Sequence, residues 1–399
     1  MSAQSQRVTG VLYLSYDGML QPLGQSQVLA YLKGLAIGRR IHLISFEKCE
    51  DWDQVIGCRS EMADAGIVWH PLRYHKQPTA LATAWDMMQG TALGLWLVLR
   101  HHLQFVHARS YVPSVMALAI KRLTGVRYLF DMRGFWADER VDGGLWPVDG
   151  PMYRTAKWFE KRFLLGADHV VSLTHAAVRI MQDFDYLQDH MPPFTVIPTC
   201  ADLQRFKPAL ARSGADPFVL GYVGSVGTWY LFDEVAAGIA ALLRLKPDAR
   251  FLVVNQGEHP YIRERLTLAG VSASAVEITS ATHAQMPALM ARMDAGIFFI
   301  KPTFSKQASA PTKLAEFLGC GIPCLGNAGV GDMAEVLRKE QAGVTIDGFD
   351  SKSLERGLTQ LFSLVEDVQT RRRCTETARK LFSLDDGVRK YKDIYESLK

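Results

Sequence analysis

The segment RFKPALARSGADPF, Arg205–Phe218, divides the sequence into two regions with the same organisation. It is polar and contains proline, glycine and serine, a composition typical of a linker. The apolar run VLGYVGS, Val219–Ser225, follows at once and restarts a pattern of strands and helices. The sequence therefore predicts two domains of similar size, which suits a chain of 399 residues.

Each region consists of short apolar runs that alternate with helical patterns. Among the helices we predict one from about Gln25 to Ile37 and one near Phe232–Leu245, and RYLFDMRG (Arg127–Gly134) is predicted to be a strand that runs into a loop. The runs VLYLSYD (Val11–Asp17), IHLISFE (Ile41–Glu47) and RFLVVNQG (Arg250–Gly257) lack a strict polar alternation. Such strands are typical of parallel sheets covered by helices on both faces. We therefore predict the α/β fold class, with two doubly wound, Rossmann-like domains facing across a cleft. The expected bounds are 1–205 for the N-terminal domain, 206–217 for the linker, 218–383 for the C-terminal domain and 384–399 for a terminal helix.

Charge and cysteine usage exclude several classes of protein. The net charge of +4 is mild, whereas dedicated nucleic-acid binders are more basic, so we expect no nucleic-acid partner. Weak attraction to an anionic membrane surface remains open. The six cysteines are scattered, and Cys320 and Cys324 lack the spacing and the histidines of a zinc site. Free thiols, with no signal-peptide pattern in MSAQSQRVTG, indicate a cytoplasmic protein.

Two segments bear on membrane contact. The longest apolar region, Thr79–Leu99, contains Asp86, Gln89 and two glycines, which leaves too short an apolar core for a spanning helix. We predict instead a helix packed between a sheet and the neighbouring layer. The segment KWFEKRFLL, Lys157–Leu165, suits either an interfacial helix or an amphipathic helix with one face in the core.

Glycines follow several of the predicted strands, at the edge where open α/β sheets bind ligands. Gly18 and Gly24 follow the first strand, but their spacing is too wide for the G-x-G-x-x-G fingerprint, which disfavours an oxidoreductase. This loop suits either a tight turn or the approach of a phosphate or sugar to the backbone. Gly224 with Ser225, and Gly257, follow strands of the second region in the same way.

The segment SKQASAPTKLAEFLGCGIPC, which begins at residue 305, predicts a helix whose start binds a ligand. Ser309 suits the N-cap and Pro311 the first turn. Thr312 and Lys313 then present free amides and a cation, and helix starts bind phosphates through such amides and the helix dipole. Glu316 is placed either to reach a ribose diol or to favour the first turn electrostatically.

The whole chain resembles a GT-B fold glycosyltransferase of glycosyltransferase family 4, the retaining "glycosyl transferases group 1" type. VVSLTH (Val170–His175) resembles the strand near the end of the family's N-terminal domain. VIPTCADLQRFKP (Val196–Pro208) is similar to the family's I-P-N-G-V-D…F-P entry to the linker. SAPTKLAEFLGCGIPCLGN (Ser309–Asn327) resembles the nucleotide-sugar signature, E-x7-E followed by A-x-G-x-P-V-I. The motifs keep the family's order over essentially the full length.

The resemblance implies transfer of a sugar from a nucleotide-diphosphate sugar to an acceptor, with retention of configuration and without a required metal or cofactor. It places the donor on the C-terminal domain, the acceptor on the N-terminal domain, and the terminal helix back on the N-terminal domain. Glu316 matches the glutamate that holds the ribose hydroxyls, and the backbone around Pro311–Lys313 matches the diphosphate cradle. Gly224 and Ser225 match the loop under the phosphates, and Gly257 matches the region that borders the base.

Three features of the family are missing. The first glutamate of the signature falls at Ala308, and GSVGTWYLF lacks the arginine and lysine that commonly neutralise the diphosphate. We expect Lys313, with Lys301 or Lys306 nearby, to supply that charge, because cations and helix amides stabilise a leaving diphosphate. The family's N-domain histidine is replaced within FDMRGFW, where Arg133 stands closest.

Charged residues near Arg133 are the candidate catalytic and acceptor-side groups. We expect Arg133 to approach the donor when the cleft closes, and Asp131 and Glu139 to bind acceptor hydroxyls or to act as a base. The alternative for all three is a salt-bridged loop. Asp183 and Asp185 resemble the D-x-D metal site of the other glycosyltransferase fold, but they follow a helix, so we predict a solvated acidic turn and no metal site.

The favoured function is a metal-independent hexosyltransferase that acts on a glycan or lipid-linked acceptor in cell-envelope or extracellular polysaccharide synthesis. We expect a cytoplasmic location with peripheral contact to the inner face of the membrane. Two alternatives stay open. A nucleotide-sugar 2-epimerase shares the fold but needs carboxylates and histidines that converge on the sugar ring. A non-catalytic partner subunit is suggested by the missing family features.

Overall fold

The computed structural model describes residues 9–77, 79–209 and 216–399. The chain forms two compact units, one comprising the residues up to Ile197 together with Gly387–Lys399, and the other Pro198–Asp386. Residues 1–8, in the segment where no signal peptide is predicted, and residues 210–215 of the predicted linker lie outside the described residues.

The boundary of the first unit differs from the predicted one by a few residues. Residues 198–205, predicted to end the N-terminal domain, group with the second unit. The reason is a backbone contact: the N–H of Ala201 donates to the carbonyl oxygen of Phe382, and the N–H of Leu384 donates back to Ala201. This pairing ties the segment that leaves the first sheet to the end of the second unit.

Seven parallel strands form the sheet of the first unit. They are β1 (Thr9–Ser15), β2 (Arg39–Glu47), β3 (Ile67–Arg73), β4 (Phe105–Arg109), β5 (Arg127–Asp131), β6 (His169–Ser172) and β7 (Phe194–Val196). Their order in the sheet is β3-β2-β1-β4-β5-β6-β7. Every residue of β1 and β4 is buried, as expected of central strands in a parallel sheet covered on both faces.

The helices of the first unit follow the predicted alternation with two differences. They are α1 (Pro22–Gly24), α2 (Ala30–Leu35), α3 (Val55–Asp64), α4 (Thr79–His101), α5 (Tyr111–Thr124), α6 (Trp136–Asp142), α7 (Pro151–Gly166) and α8 (His175–Gln182). A π-helical stretch, Gln25–Leu29, joins α1 to α2 where one regular helix is predicted. The short helix α6 occupies a region predicted to be a loop.

The second unit repeats this architecture with six parallel strands. The strands are β8 (Val219–Val223), β9 (Arg250–Val254), β10 (Val276–Thr279), β11 (Ala295–Ile297), β12 (Cys324–Asn327) and β13 (Gly343–Ile346). Their order is β10-β9-β8-β11-β12-β13. The helices are α9 (Phe232–Leu245), α10 (His259–Leu268), α11 (Met286–Met290), α12 (Thr312–Gly319), α13 (Met333–Lys339), α14 (Ser351–Glu366) and α15 (Thr370–Leu381).

The chain ends in α16 (Leu384–Ser397), most of which belongs to the first unit. Its Tyr395 ring packs against Phe105 of β4, and the Tyr395 hydroxyl lies 2.7 Å from Nδ1 of His107 on the same strand. Tyr391 packs edge-on against Tyr31 of α2. The terminal helix is therefore a layer of the first unit, although it follows the second unit in sequence.

Both sheets reverse their strand order at one point, between β1 and β4 and between β8 and β11. In open parallel sheets the loops at the carboxyl ends of the strands diverge at such a switch point and leave a crevice that binds ligands. The predicted fold class, α/β with two doubly wound Rossmann-like domains, is confirmed. The two switch points are where functional residues are to be sought.

Helix α4 departs from its predicted packing between two layers. One face lies on the sheet and on α5, since Gly90 packs against Phe46 of β2 and Met116 of α5, and Gly94 packs against Leu12 of β1 and Ile120 of α5. The opposite face is exposed along the whole helix. Across the part of the chain that the structure describes, the helices are all too short or too polar to cross a bilayer.

Candidate functional site

The switch point of the second sheet brings together two motifs that are far apart in sequence. Gly224 follows β8 with a φ of +107°, and a Cβ added to it would lie 3.1 Å from Nζ of Lys313. Lys313 is the second residue of α12. The ring of Phe317 fixes this helix against Gly296 of β11, where an added Cβ would meet the ring at 2.9 Å. The predicted glycine loop and the predicted phosphate-binding helix thus form one site.

The loop after β8 is held by two polar residues that the sequence analysis does not identify. The side-chain amide of Asn255 donates to the carbonyl oxygen of Gly224 at 3.0 Å and to the carboxylate of Glu258 at 2.8 Å. Glu258 also accepts a hydrogen bond from the backbone N–H of Val226 at 3.1 Å. Asn255 directly follows β9 and Glu258 comes three residues later, so their signal in sequence is polar residues in the loop after a buried strand.

Ser225 and Gly257 lie at this carboxyl edge, as predicted. The side chain of Ser225 is exposed, and its carbonyl oxygen accepts a 2.6 Å hydrogen bond from the hydroxyl of Tyr222. Gly257 has a φ of +91° and open space where a Cβ would stand. Its neighbour Gln256 donates to the carbonyl oxygen of Ala281 at 2.6 Å, which ties the loop after β9 to the segment after β10. A flat ligand group could lie against Gly257.

The ammonium of Lys313 is buried in an aromatic cage. Its Nζ lies 3.8 Å from the centre of the Tyr230 ring, 4.8 Å from that of Tyr222 and 5.6 Å from that of Phe298. Within the described ranges this Nζ has no hydrogen-bond partner. Burial lowers the pKa of Lys313 to about 7, although the nearby Glu316 opposes the shift. A buried cation held by rings alone is poised to take an anionic partner.

Glu316 lies one turn further along α12 and is partly buried. Burial raises the pKa of its carboxyl to about 7, while the charge of Lys313 acts in the opposite direction. The two groups therefore share a poorly solvated site in which neither is fully charged near neutral pH. The pair is suited to a ligand that has both an anionic group, which would pair with the lysine, and hydroxyl groups, which would donate hydrogen bonds to the carboxylate.

The start of α12 differs from the prediction. The helix begins at Thr312 with Pro311 at the N-cap position, so Ser309 lies outside the helix and does not cap it. Pro311 precedes the first turn because its φ of −66° and ψ of 121° are extended, not helical. The N-cap makes no side-chain hydrogen bond. The N–H of Leu314 donates to the carbonyl oxygen of Pro311 at 3.1 Å, which leaves the amides of Thr312 and Lys313 for a ligand. Ala308, at the position of the missing glutamate, is buried.

The aromatic pair in GSVGTWYLF contacts two lysines of the 301–313 segment. Nζ of Lys306 lies 3.8 Å from the centre of the Trp229 ring, the same separation that joins Lys313 to Tyr230. The carbonyl oxygen of Trp229 accepts a 3.0 Å hydrogen bond from the N–H of Lys301. Where family members carry cations in this loop, the present chain carries rings that hold cations from the neighbouring loop.

In the first unit, the predicted glycine loop is closed by a buried carboxylate. Glu47 at the end of β2 is fully buried and accepts hydrogen bonds from the backbone N–H groups of Met19, at 2.8 Å, and Leu20, at 3.2 Å. A Cβ on Gly18 would lie 2.7 Å from this carboxylate, and one on Gly24 would lie 2.1 Å from the Gly18 carbonyl oxygen. Both glycines are explained by close packing, and these two amides are not available to an acceptor.

Asp131 and Arg133 lie beside a buried histidine. Oδ2 of Asp131, at the end of β5, is 3.7 Å from Nε2 of His107, and Oδ1 is 3.9 Å from the Arg133 guanidinium. Burial favours a higher pKa for Asp131, but Arg133 and His107 outweigh it and lower the pKa. Asp131 is 2% exposed, so its predicted role as an acceptor-binding base does not fit this geometry. It is instead the charge partner of Arg133.

Around this pair is a small polar cavity with room for about one water molecule. Burial also lowers the pKa of His107, which keeps the imidazole neutral. Arg133 has a φ of +60°, a strained conformation for a residue other than glycine. The cavity is lined by Tyr13, Gln27, Tyr31, Leu35, His107, Asp131, Arg133 and Tyr391.

An ion pair at the first switch point is the main feature that sequence reasoning missed. Arg109, the last residue of β4, donates to Asp17 after β1 at 2.7 Å. Ser110, which follows, has a φ of +71°, so strained backbone recurs at this edge of the sheet. Arg109 ends β4 and Asp17 follows β1, which is the signal in sequence, but only the strand order shows that β1 and β4 are neighbours.

Glu139 lies in the first turn of α6, in a partly exposed position. Its neighbour Asp138 is buried and binds Lys157 of α7 at 3.0 Å. Asp183 ends α8, and Asp185 begins a 3-10 turn. Over the described stretches of chain, no three His, Cys, Asp or Glu side chains are grouped as metal ligands would be. Metal independence stays a prediction.

Comparison with known proteins places both units in glycosyltransferase families. Residues 30–198 match the family model "Glycosyl transferase 4-like domain", and residues 217–363 match "Glycosyl transferases group 1", so that the two models together span most of the chain. A D-inositol 3-phosphate glycosyltransferase of Segniliparus rotundus is 25% identical over 356 residues, which cover 86% of this chain and 75% of the relative.

Solved structures share the fold at low sequence identity. Sucrose-phosphate synthase from Thermosynechococcus elongatus matches with a TM-score of 0.75 at 14% identity, over 98% of this chain and 99% of that one. HepE from Anabaena, in complex with UDP and glucose, matches with a TM-score of 0.66 at 15% identity, over 97% and 99% of the two chains. At these identities the similarity establishes the architecture and not the substrates.

Proposed function

The chain belongs to the GT-B glycosyltransferases of the family 4 type, and on that basis we propose that it is a retaining transferase of hexosyl groups from a nucleotide-diphosphate sugar. The acceptor in this proposal is a glycan or lipid-linked sugar, and the pathway is cell-envelope or extracellular polysaccharide synthesis. The reaction needs neither a metal nor a cofactor, and it takes place in the cytoplasm, with peripheral contact to the inner face of the membrane.

The observation that carries the proposal is the unpartnered, buried ammonium of Lys313 beside Gly224 and the uncapped start of α12. A nucleoside diphosphate supplies the anion that this group lacks. Departure of the diphosphate from the sugar concentrates negative charge on its leaving oxygen, and a preorganised cation and helix amides stabilise that charge. Glu316 is then placed to accept hydrogen bonds from the ribose hydroxyls, and Gly257 to lie against the base.

On the acceptor side, Arg133 is the proposed catalytic cation. Asp131 pairs with Arg133 and is itself contacted by His107, and the Arg109–Asp17 ion pair lies at the same edge of the first sheet. Asp131 acts in this proposal as a positioning residue for Arg133. Asp17 has the more exposed carboxylate, with 39% of its side chain accessible, and is therefore better placed than Asp131 to meet an acceptor hydroxyl.

The test is turnover of UDP- and GDP-hexoses with oligosaccharide and polyprenyl-diphosphate-sugar acceptors. We expect release of nucleoside diphosphate only when an acceptor is present, in the presence of EDTA, and a product whose proton NMR coupling gives the donor's anomeric configuration. Conversion of the donor to an isomer without diphosphate release would instead identify an epimerase. Absence of turnover together with unchanged nucleotide binding by Lys313→Met would support a non-catalytic subunit.

A further inference from the structure

The exposed face of α4 is an uninterrupted apolar stripe. Its large side chains are between 50% and 71% exposed and recur at helical spacing: Leu81, Trp85, Met88, Trp96 and Leu99. At a rise of 1.5 Å per residue the stripe is about 27 Å long. Monomeric proteins rarely expose a contiguous apolar surface of this extent unless it binds something.

The stripe contains no charge. From residue 77 to residue 99, Asp86 is the only charged residue of the sequence. Asp86 is fully buried on the opposite side of the helix, where its carboxylate accepts a 2.9 Å hydrogen bond from Tyr16 and lies 2.6 Å from Nδ1 of His75. The helix itself therefore places no acidic side chain on its exposed face.

Cations flank the stripe at both ends. Lys76 precedes the helix and Arg100 ends it, and both are exposed. The ring of His101 lies 4.4 Å from that of His42, which stacks on His70, so the end of α4 adjoins a groove on the β2–β3 side of the sheet. The polar residues that line this groove are basic: Arg39, Arg40, Arg59 and His70.

We propose that this face of the first unit docks on an anionic phospholipid bilayer, with α4 lying in the plane of the interface. Two exposed tryptophans and flanking cations suit the headgroup region, where indole rings and basic side chains are both favoured. A second copy of the chain is less suited to cover the exposed face of α4. A twofold contact through α4 would bring the cationic ends Lys76 and Arg100 together in either orientation, and like charges repel across an interface.

The predicted interfacial segment on α7 is less suited to this role. Lys157 is bound to Asp138 and to Glu160 inside the unit, and Phe163 is buried. Trp158 is exposed, but Arg162 stacks on its ring. The proposal for α4 rests on the proposed function only in that it names the surface for the membrane contact. It uses residues of the first unit alone, so a failure of vesicle binding would leave the proposed sugar transfer at the donor site standing.

Vesicle flotation tests the proposal on the full-length protein. We expect binding to vesicles of equal parts phosphatidylglycerol and phosphatidylcholine, and none to phosphatidylcholine alone. The double variant Trp85→Ser, Trp96→Ser should lose at least about tenfold in vesicle affinity, because two apolar anchors are removed. Arg100→Gln should lose about fivefold, as expected for one basic residue at an anionic surface.

Matched variants distinguish binding through this surface from nonspecific hydrophobic adsorption and from misfolding. Leu268→Ser removes a comparably exposed apolar side chain from the second unit, and Trp158→Ser removes the tryptophan of α7. Both should bind vesicles as the wild type does, and all variants should keep the wild-type melting temperature. Absence of binding to anionic vesicles, equal loss in Trp158→Ser, or a dimer by light scattering that Trp96→Ser dissociates would overturn the proposal.

Discussion

The depressed pKa of Lys313 makes a quantitative prediction for nucleotide binding. Burial lowers this pKa to about 7, so roughly half of the unliganded protein carries the charge at pH 7 and roughly a tenth at pH 8. A diphosphate binds the charged form and holds the proton in place. The affinity of a nucleoside diphosphate should therefore fall about fivefold from pH 7 to pH 8 and about tenfold per further unit.

Isothermal titration calorimetry measures both the affinity and the proton that accompanies it. A nucleotide phosphate has its second pKa at about 6, so the charge of the ligand is nearly constant above pH 7. Titrations at pH 8 in two buffers with different ionisation enthalpies should show uptake of roughly 0.9 proton per nucleotide bound. At pH 6 Lys313 already carries its proton, so its contribution to the uptake should be nearly absent, and the protons exchanged there come from Glu316 and the ligand phosphate.

Two variants test whether Lys313 is the group whose titration changes the affinity. Lys313→Arg keeps its charge throughout this range, so its affinity should stay nearly constant with pH. Glu316→Gln removes the carboxylate that supports the ammonium, so the midpoint should move to lower pH while overall affinity also falls. A pH-independent affinity in the wild type, or the same decline in Lys313→Arg, would refute the assignment of the titrating group to Lys313.

Three further predictions concern stability and the aromatic cage. Gly24→Ala should lower the free energy of unfolding, measured in urea, by about 2–3 kcal/mol, because the new Cβ would stand 2.1 Å from a carbonyl oxygen. The control Gly57→Ala has open space for its Cβ and should be neutral or stabilising. Glu47→Gln should lower that free energy by about 1–2 kcal/mol, because a neutral amide cannot serve both backbone N–H groups equally; an unchanged denaturation midpoint would contradict this. Tyr230→Leu should weaken UDP binding about fivefold at pH 7, because the ring that holds Lys313 is lost. Tyr230→Phe keeps a ring and should bind UDP as the wild type does. Equal losses of affinity in the two variants, measured by calorimetry, would show that the cation–π contact does not contribute to binding.

Elements with a strong local pattern were predictable from the sequence. Helix α9 has the predicted bounds, Phe232–Leu245, because its apolar residues recur at helical spacing and two apolar strands, β8 and β9, flank it. The short helix α6 was missed, since seven residues carry too little periodicity to be distinguished from a loop. The start of α12 was misplaced by the serine that precedes Pro311, because the extended backbone of the proline delays the helix.

The donor-side residues were predictable in type but not in environment. The cage around Lys313 is built by Tyr222, Tyr230 and Phe298, which come from three separate segments, and no local pattern contains that arrangement. The burial of Asp131 likewise depends on the layer formed by α16, whose residues follow it by more than 250 positions. Long-range packing, not residue type, decides whether a carboxylate is exposed to substrate or serves another side chain.

The central claim is that the second unit holds the diphosphate of a sugar nucleotide at Lys313 and Glu316. Calorimetric titration of the full-length protein with UDP, GDP, ADP and dTDP, and with the matching monophosphates, tests it most directly. We expect saturable binding of at least one nucleoside diphosphate, weaker binding of its monophosphate, and loss of both in a folded Lys313→Met, Glu316→Ala double variant. Unchanged affinity in that variant, or no binding of any nucleotide to the wild type, would contradict it.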